Sequence, residues 1–457
     1  MNRISAMVML AMLAALPASM AAAQDAPAKK DPQETEPRPK PPSPTPTPLD
    51  PSQSGAAEPE IKVSLKDGVH FRSTDGAFDI ILGGYAGIHY RVFVHRPDDN
   101  VRTSPDTWYI RQARPELSGF IYKDFDFRIQ LDFPTGPAAI DGTAQDLYVG
   151  WRYFPEFSLR VGQFKEPFGQ DQTTPDRFLD FDERAEGDRF IPARDIGLMA
   201  YGTLAGGIVT YELGFFNGQG RAVLDTNRGK EGAARIRLQP FAGADDASPL
   251  KNLRIGLSGT AATVQNGAVG VFNSNTAYLN VNYLTTATVA ANLLDGVRRR
   301  WGGELTWNYG PVGVRAEAWR RVDSVDTATA VHRHLYTTAW SAQASWLLTG
   351  EKKPIEARVV PRNPFDPRTG GWGALEIAAR VDRVHLDNDL FTLGIASATG
   401  NANVVTGYSL GLNWYLTRNL RISPNVFWEV ADDPITFAGG RTDRHFFGGI
   451  MRFQLEF

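Results

Sequence analysis

The side chains of this 457-residue chain that could do chemistry are arginines and carboxylates at every second position of apolar segments. In "DFDFRIQLDF", residues 124–133, Asp126, Arg128 and Asp132 alternate with phenylalanine, isoleucine and leucine. Arginine is always charged and binds carboxylate or phosphate through two parallel hydrogen bonds. A row of arginines along a water-filled space could pass anions, whereas arginines facing acids would brace a wall as neutral cross-strand pairs. The sequence leaves both interpretations open.

These charged residues lie on elements with a period of two, which is the period of a β-strand. The polar faces contain almost no lysine, and the opposite faces are aromatic or long aliphatic. A soluble sandwich would expose lysine-rich outer faces, whereas a closed barrel puts the apolar faces against lipid and the charged faces across its lumen. We therefore predict an all-β transmembrane antiparallel barrel, with Phe125, Phe127 and Phe133 facing lipid.

Strand parity assigns both charged sets to the lumen of this barrel. About 25 residues per strand and connection suit sixteen strands, eighteen would also fit, and an even number returns both ends to the periplasm. The predicted pore-lining arginines are Arg114, Arg128, Arg152, Arg160, Arg235, Arg237, Arg254, Arg315 and Arg380, with Arg452 near the C-terminus. The acids on the same faces are nearly as numerous: Glu116, Asp126, Asp132, Asp146, Glu212, Glu304, Glu317, Glu376 and Glu456.

The first sixty residues differ in composition from the rest of the chain. Residues 1–23 combine Arg3, an uncharged apolar run and a small-residue cleavage position, which predicts a secretory signal peptide. Residues 24–60 are rich in proline and nearly free of large apolar side chains, so we expect a disordered periplasmic linker. We interpret the linker as a passive spacer, with a tether to the cell wall or to a periplasmic partner as the alternative. Residues 61–457 are assigned to the barrel.

The composition and the remaining polar clusters argue against other classes of protein. The chain has no cysteine and a net charge of −3, and this charge balance does not suggest nucleic acid as a partner. His332 and His334 lack a third ligand nearby and are interpreted as part of a solvated loop. We predict no catalytic residues, no metal and no cofactor, and we do not expect an enzyme. Arg298–Arg300 is interpreted as a charged extracellular loop or rim.

Several motifs carry a family resemblance that covers most of residues 61–457. They include "FDIILGGYAGIHYRVF", "RVGQFKEPFGQDQTTPDRFLDFDER", "WLLTGE" and "GLNWYLTRNLRISPNV", of which "LLTGE" and "GLNWYL" are specific. In these segments the chain resembles the phosphate-selective porin O/P family. The resemblance implies a sixteen-stranded barrel in the outer membrane, a homotrimer, and a third extracellular loop that folds inward and narrows the pore. It also implies that wall arginines and loop lysines select anions, phosphate above all.

The resemblance places the inward constriction loop at about residues 165–194. Its candidate residues are Lys165, Gln172, Arg177 and Arg184. Gln172 stands where similar proteins carry a lysine, and Arg177 stands at the position of a second lysine. Arg184 follows Glu183 in an "ER" pair that the family also has. Arg177 keeps this family position among the acids Asp171, Asp176, Asp180, Asp182, Glu183, Glu186 and Asp188. If the pore favours anions, Arg177 is therefore expected to supply the positive potential of the constriction.

These observations predict an outer-membrane porin for passive diffusion of small solutes that prefers anions of the phosphate or polyphosphate class. One alternative is a general or cation-leaning porin on the same scaffold. Another is a structural outer-membrane barrel that its N-terminal linker tethers. The expected partners are small anions or other small solutes, outer-membrane lipid and lipopolysaccharide, two further copies of the chain in a homotrimer, and a cell-wall contact through the linker.

Overall fold

A computed structural model describes the chain at residues 61–64, 68–95, 106–135, 142–225, 228–287, 293–327, 332–437 and 440–457. The predicted signal peptide (residues 1–23) and linker (residues 24–60) lie outside the described residues. Glu58–Phe457 form one compact unit.

The described residues form strands almost throughout, as the alternating sequence predicts. In chain order the strands are β1 (Ile61–Ser64), β2 (Val69–Ser73), β3 (Phe78–His95), β4 (Thr107–Ile121), β5 (Phe125–Asp132), β6 (Thr143–Phe154), β7 (Phe157–Lys165), β8 (Arg194–Leu204), β9 (Val209–Phe216), β10 (Glu231–Leu238), β11 (Leu253–Ala268), β12 (Ser274–Asn275), β13 (Asn282–Leu284), β14 (Leu293–Tyr309), β15 (Val312–Asp326), β16 (His332–Leu347), β17 (Ala374–Leu386), β18 (Val404–Tyr415), β19 (Leu420–Thr436) and β20 (Thr442–Glu456).

Sixteen of these strands, as far as the structure describes the chain, close into one antiparallel barrel. Each strand from β3 to β11 and from β14 to β20 pairs with the next, and β11 pairs directly with β14. The ring closes where β20 pairs with β3, from Glu456 opposite Tyr85 to Phe447 opposite His95. The predicted sixteen-stranded barrel is confirmed. Closure pairs the backbone of every strand in the ring, which is what a barrel surrounded by lipid requires.

Two short strands lie outside the ring at one end of the barrel. β1 pairs with β2, and β2 pairs with the first residues of β3, from Val69 opposite Leu82 to Arg72 opposite Asp79. We call the end of the barrel with Phe78 and Glu456 the turn end, because strands such as β14 and β15 join there through two residues. The opposite end, where residues 166–193 leave β7, is the loop end.

The register places apolar side chains outside and charged side chains inside. In β5, Phe125 is 46% exposed and Ile129 40% exposed, whereas Asp126 is only 6% exposed. Leu147 and Val149 in β6 and Leu257 in β11 are likewise exposed. The outward orientation that the sequence predicts for the phenylalanines of residues 124–133 therefore agrees with the observed side-chain exposure.

Helices are confined to short pieces in the connections. The α-helices are α1 (Gln170–Thr173) and α2 (Asp389–Thr392), and 3-10 turns cover Asp176–Phe178, Asp188–Phe190, Ala205–Gly207 and Val269–Phe272. Within the described part of the chain, no helix has the length and apolar character needed to span a membrane.

Candidate permeation pathway

Two connecting segments and part of a third lie inside the barrel and determine what remains open. We call residues 166–193 the inward loop, residues 269–287 the second loop, and residues 348–373, at the turn end, the turn segment. The inward loop lies between the end of β7 at Lys165 and the start of β8 at Arg194, which are the bounds that the sequence predicts. A continuous apolar cluster connects the inward loop and the second loop to β14 to β20. We call this part of the lumen the filled side.

The second loop is held on the filled side by both apolar and polar contacts. The Tyr278 ring stacks on Phe427 with 4.5 Å between ring centroids, and its hydroxyl donates to Asp382. The backbone amide of Tyr278 donates to Glu429 at 2.8 Å, and that of Ala277 donates to Glu186 of the inward loop, also at 2.8 Å. Because these partners are deeply buried, the second loop acts as a packed part of the barrel interior.

The inward loop packs tightly against the same side. A Cβ atom at Gly187 would lie 2.5 Å from Ala339 and 2.7 Å from Trp319, so only glycine allows this approach. Arginines of the filled side donate to backbone carbonyls of the loop: Arg321 to Phe190, Arg380 to Glu183, Arg421 to Leu179 and Arg452 to Asp182. Carbonyl oxygens at a loop need donors when buried, and these arginines supply them.

The turn segment enters the filled side from the opposite end. The Lys353 ammonium binds Asp180 of the inward loop and Glu376 of β17. Val359 packs with Leu347, Ala374 and Tyr415. The space between the turn segment, Arg177 and Arg421 amounts to about 20 Å³. Such a space is close to the size of a single water molecule and offers no wide route through this side.

The opposite part of the lumen, along β4 to β9, contains an open cavity of about 320 Å³, which we call the lower cavity. Six basic side chains line it: Arg114, Arg128, Arg160, Lys165, Arg177 and Arg194. Four acidic side chains line it as well: Glu116, Asp146, Asp176 and Glu212. We call this part of the lumen the polar side. Its lining has two more basic than acidic side chains.

A second cavity of about 430 Å³, the upper cavity, lies toward the loop end and shares Arg194 with the lower cavity. Its basic residues are Arg194, Arg221, Arg298 and Arg300, and its acids are Glu166 and Glu231. Burial and the nearby Glu231 carboxylate raise the pKa of Glu166 well above its usual range. Glu166 therefore adds less negative charge than its type suggests, and basic side chains outnumber acidic ones in the lining of the upper cavity as well.

Three of the four predicted loop residues hold the inward loop in shape. Lys165 donates to the carbonyls of Gln172 and Thr174 at 2.6 and 3.0 Å, and Gln172 donates to Asp188 at 3.3 Å. Arg184 binds the Asp176 carboxylate and the Thr174 carbonyl. Burial opposes the charge of Asp176, but Arg114 and Arg184 hold its pKa well below the usual range.

Arg177 differs from these residues. Its guanidinium lies over the rings of Phe178 and Tyr85, at 5.0 and 5.6 Å from the centroids, and it lines both the lower cavity and the small space beside the turn segment. Among the residues that the structure describes, no carboxylate lies within 4.0 Å of it. Arg177 is thus a loop cation that faces open space without an ion pair.

The predicted wall arginines fall into three groups. Arg114, Arg128 and Arg160 line the lower cavity, and Arg152 lies over Phe120 at 4.8 Å near the turn end. On β10 and β11, Arg235 binds Glu304 at 2.6 Å, Arg237 lies 3.7 Å from Glu356, and Arg254 donates to Gln239. Arg315 and Arg380 are on the filled side, where Arg380 lies 4.5 Å from the centroid of Phe181. That these nine arginines line a conducting pore stays a prediction.

The interpretation of Arg298–Arg300 as a loop is wrong, because all three residues lie within β14. Arg298 binds Asp323 at 2.8 Å and Arg300 binds Glu231, so both face the lumen, while Arg299 is exposed on the outer surface. The sequence contains a signal for the inward orientation of Arg298 and Arg300, because both share strand parity with Glu304, which the alternation assigns to the lumen. Arg221, on the connection after β9, was also missed, and no local pattern in the sequence marks it.

The weaker polar clusters offer little for metal binding. His332 lies at the start of β16 and pairs with Asp326 at 2.6 Å, so its strand position differs from the solvated loop that the sequence suggests. Across the described ranges, no three His, Asp or Glu side chains are grouped to hold a metal ion.

Comparisons with known proteins give a consistent result. A family model described as "Phosphate-selective porin O and P" matches residues 84–457. Porin O of Pseudomonas aeruginosa is 24% identical over 422 residues, which cover 87% of this chain and 93% of that protein. The outer-membrane channel DcaP of Acinetobacter baumannii has 11% identity and a TM-score of 0.51, with 86% of this chain and 100% of that chain covered. The high-pH structure of Pseudomonas putida OprB has 12% identity and a TM-score of 0.50, with 84% and 95% covered. At these identities the two structures are similar to this chain in fold.

Proposed function

The chain belongs to the phosphate-selective porin O and P family, and from this premise we propose that its polar side is a permeation pathway that prefers anions of the phosphate class. Family membership makes the protein an outer-membrane porin and indicates a channel rather than an enzyme. The proposal adds two statements to this family assignment: which part of the lumen conducts, and which solutes it prefers.

The observation that carries the proposal is the charge of the two lumen cavities. Both have more basic than acidic side chains, and Arg194 lines both of them. In a narrow lumen with walls of low dielectric constant, an excess of one charge raises the local concentration of the opposite ion. Guanidinium groups also bind phosphate oxygens bidentately, which favours phosphate over simple halides.

Arg177 is the residue that we propose as the filter for charge. It is on the inward loop, it faces the lower cavity, and none of the described carboxylates neutralises it within ion-pair distance. Arg160 would continue the path toward the turn end. It is stacked on Tyr148, and its nearest carboxylate, Asp126, lies 3.9 Å away. Lys165, Gln172 and Arg184 would support this filter by shaping the loop rather than by meeting the ion.

Several features of the assembly also belong to the proposal. We propose a homotrimer, which the family resemblance implies, with the loop end outside the cell and the turn end in the periplasm. The signal peptide would be removed, and the proline-rich linker would extend into the periplasm as a spacer.

A general porin is the second candidate, and one observation favours it. Several wall arginines are already neutralised, since Arg114 binds Asp132 at 2.7 Å and Arg128 lies 3.2 Å from Glu116. If the pairs cancel the field of the whole lining, the pore would discriminate by size alone.

The reversal potential in a salt gradient across a planar bilayer separates these two functions. We expect the wild-type protein to prefer chloride over potassium, and we expect added phosphate to reduce the chloride current by competing for the same arginines. Arg177→Glu should lower the anion-to-cation permeability ratio at least tenfold, because the side-chain charge changes by two units and a single unit charge ~10 Å from the ion is already worth roughly 1.7 kcal/mol at an effective dielectric constant of about 20.

The matched control is Arg368→Glu, the same charge reversal on a turn-segment arginine whose side chain is 89% exposed. This variant should keep the wild-type ratio. If Arg177→Glu conducts with an unchanged ratio, the inward loop does not filter charge and the general porin becomes the better description.

A further inference from the structure

The outer surface of the barrel has a groove that the permeation pathway does not use. It has a volume of about 730 Å³ and runs across β8, β9, β10, β11 and β14. This volume falls within the range of about 300–1,000 Å³ that is usual for small-molecule sites. Its lining is apolar, apart from Thr260 and two arginines, Arg299 and Arg300, of which Arg300 is turned inward to Glu231.

Strand register explains the shape of the groove. One row of paired outward residues runs Leu198, Phe215, Gly232, Ala261, Arg299 and Val322. The next row toward the turn end runs Ala200, Leu213, Ala234, Gly259, Trp301 and Arg320. The small residues of β10 and β11 form the floor, and Phe215 and Trp301 form the walls. The result is a concave apolar surface between two aromatic side chains.

Two arginines stand at one edge of this groove on the lipid-facing surface. Arg299 and Arg320 are diagonal neighbours on β14 and β15, and such neighbours lie roughly 7–8 Å apart. The Arg320 guanidinium lies 4.2 Å from the centroid of Tyr336. Within the described part of the chain, neither arginine has a carboxylate within 4.0 Å. By contrast, the outward Arg383 is neutralised by Asp432 at 2.6 Å.

An unpaired arginine on the lipid face of a barrel destabilises it unless it lies near the interface or meets an anion. The Arg299 row lies one residue from the loop-end start of β10 at Glu231 and six residues from that of β14 at Leu293, which places it in the half of the barrel nearer the loop-end headgroups. Two guanidinium groups side by side match the oxygens of one phosphate. The apolar floor directly beside them matches an acyl chain. These two features together call for an amphiphile with a phosphate headgroup.

We propose that this groove binds the lipid A part of lipopolysaccharide, with a phosphate on Arg299 and Arg320 and an acyl chain along Gly232, Ala234, Gly259 and Ala261. The loop end faces the outer leaflet, in which lipopolysaccharide is the abundant anionic lipid. A second copy of the chain is the other occupant that an apolar outer groove could take. The two unpaired arginines favour the lipid over a second copy. In a contact between two copies, the facing surface of the other copy would have to supply carboxylates to neutralise them.

The test is native mass spectrometry of the purified full chain in detergent after incubation with bisphosphorylated lipid A. Wild-type protein should retain lipid A. The double variant Arg299→Gln/Arg320→Gln should retain less lipid A by a factor of about ten or more. Gly232→Phe should also reduce retention by filling the groove, and a Cβ atom at Gly232 meets no heavy atom within 4 Å, so the fold tolerates it. Dephosphorylated lipid A should bind the wild-type protein as weakly as bisphosphorylated lipid A binds the double variant.

The matched control is Arg383→Gln, which removes a paired outward arginine and should leave lipid A retention unchanged. All variants should keep wild-type conductance, since none of these side chains faces the lumen, and conductance also confirms folding. Equal retention by the wild type and the double variant, or equal retention of dephosphorylated lipid A, overturns the proposal. So does disulfide cross-linking of two protomers through Gly232→Cys, which is interpretable because the chain has no cysteine of its own.

Discussion

The two sides of the lumen use arginine for different purposes. On the filled side, Arg321, Arg380, Arg421 and Arg452 donate hydrogen bonds to carbonyls of the inward loop. On the polar side, Arg128, Arg160 and Arg177 line a cavity of about 320 Å³. Arginine supports the inward loop where it meets a buried backbone, and under the proposed function it would bind passing anions where it meets open space.

This difference shows why a row of arginines does not by itself define a pore. A buried carbonyl satisfies a guanidinium donor without changing its charge, but the apolar packing around it leaves no room for an ion. The same inward orientation of a strand residue can therefore serve packing or permeation. The connecting segments that enter the lumen decide between the two roles.

The largest expected effect comes from emptying part of the filled side. Tyr278→Ala removes a ring stacked on Phe427 and a hydroxyl bonded to Asp382. Removal of a buried aromatic side chain costs roughly 3–5 kcal/mol, so the second loop should detach and the mean single-channel conductance should rise. The matched change on the polar side, Tyr148→Ala, should cost clearly less stability, because Tyr148 borders an open cavity on one side. Similar unfolding free energies for both variants would erase the distinction between the sides.

The two sides should be alike on their outer surface. Phe127 in β5, on the polar side, and Leu455 in β20, on the filled side, are both predicted to face lipid. Replacing either with arginine should cost roughly 2–4 kcal/mol if the site lies near the bilayer midplane. Equilibrium unfolding from lipid vesicles measures this cost. A polar-side variant that lost no stability would mean that the outer surface of that side is not in lipid.

The filled side should respond to pH through Glu186. Burial, with Glu429 and Asp382 nearby, raises the pKa of this inward-loop carboxyl well above its usual range. A folded-state pKa above the unfolded value means that docking is strongest while Glu186 is protonated and weakens as pH rises through the raised pKa. Open-channel current noise should therefore increase from about pH 5 to about pH 9, and Glu186→Gln should reduce that increase. Noise with the same pH dependence in both proteins would assign the response to another group.

The smallest effect is expected outside both sides. Deletion of Pro32 to Gly55 removes a stretch with no apolar set to pack, so folding, assembly and single-channel current should be retained. Gel mobility of the folded assembly and bilayer recordings measure these properties. A large loss of current on deletion would give the linker a role that its composition does not suggest.

The alternation of residue types was sufficient to predict the barrel and the outward orientation of Phe125 and Ile129, whereas chain length left sixteen or eighteen strands open and the family resemblance favoured sixteen. A period of two is a local property, so one strand reveals it. The bounds of the inward loop followed from motifs next to it. The separate roles of the arginines could not be predicted, since the contact between Arg421 and Leu179 joins residues 242 positions apart.

The filled side itself was also hidden in the sequence. Its turn segment reads "LTGEKKPIEARVVPRNPFDPRTGGWG", and its polar composition predicts an exposed connection rather than a packed one. Lys353 is buried there only because Asp180 and Glu376 converge on it from distant parts of the chain. Ion pairs between residues that are distant in the chain do not appear in the local periodicity of the sequence.

The central claim, that solutes pass along the polar side and not the filled side, is tested most directly by cysteine accessibility during conduction. The chain has no cysteine, so Tyr148→Cys on the polar side and Ala378→Cys on the filled side introduce single reactive thiols. A negatively charged thiol reagent added to a conducting channel should reduce the current through Tyr148→Cys and leave the current through Ala378→Cys unchanged. Block of the Ala378→Cys channel with no effect on Tyr148→Cys would contradict the account and place the pathway on the other side of the lumen.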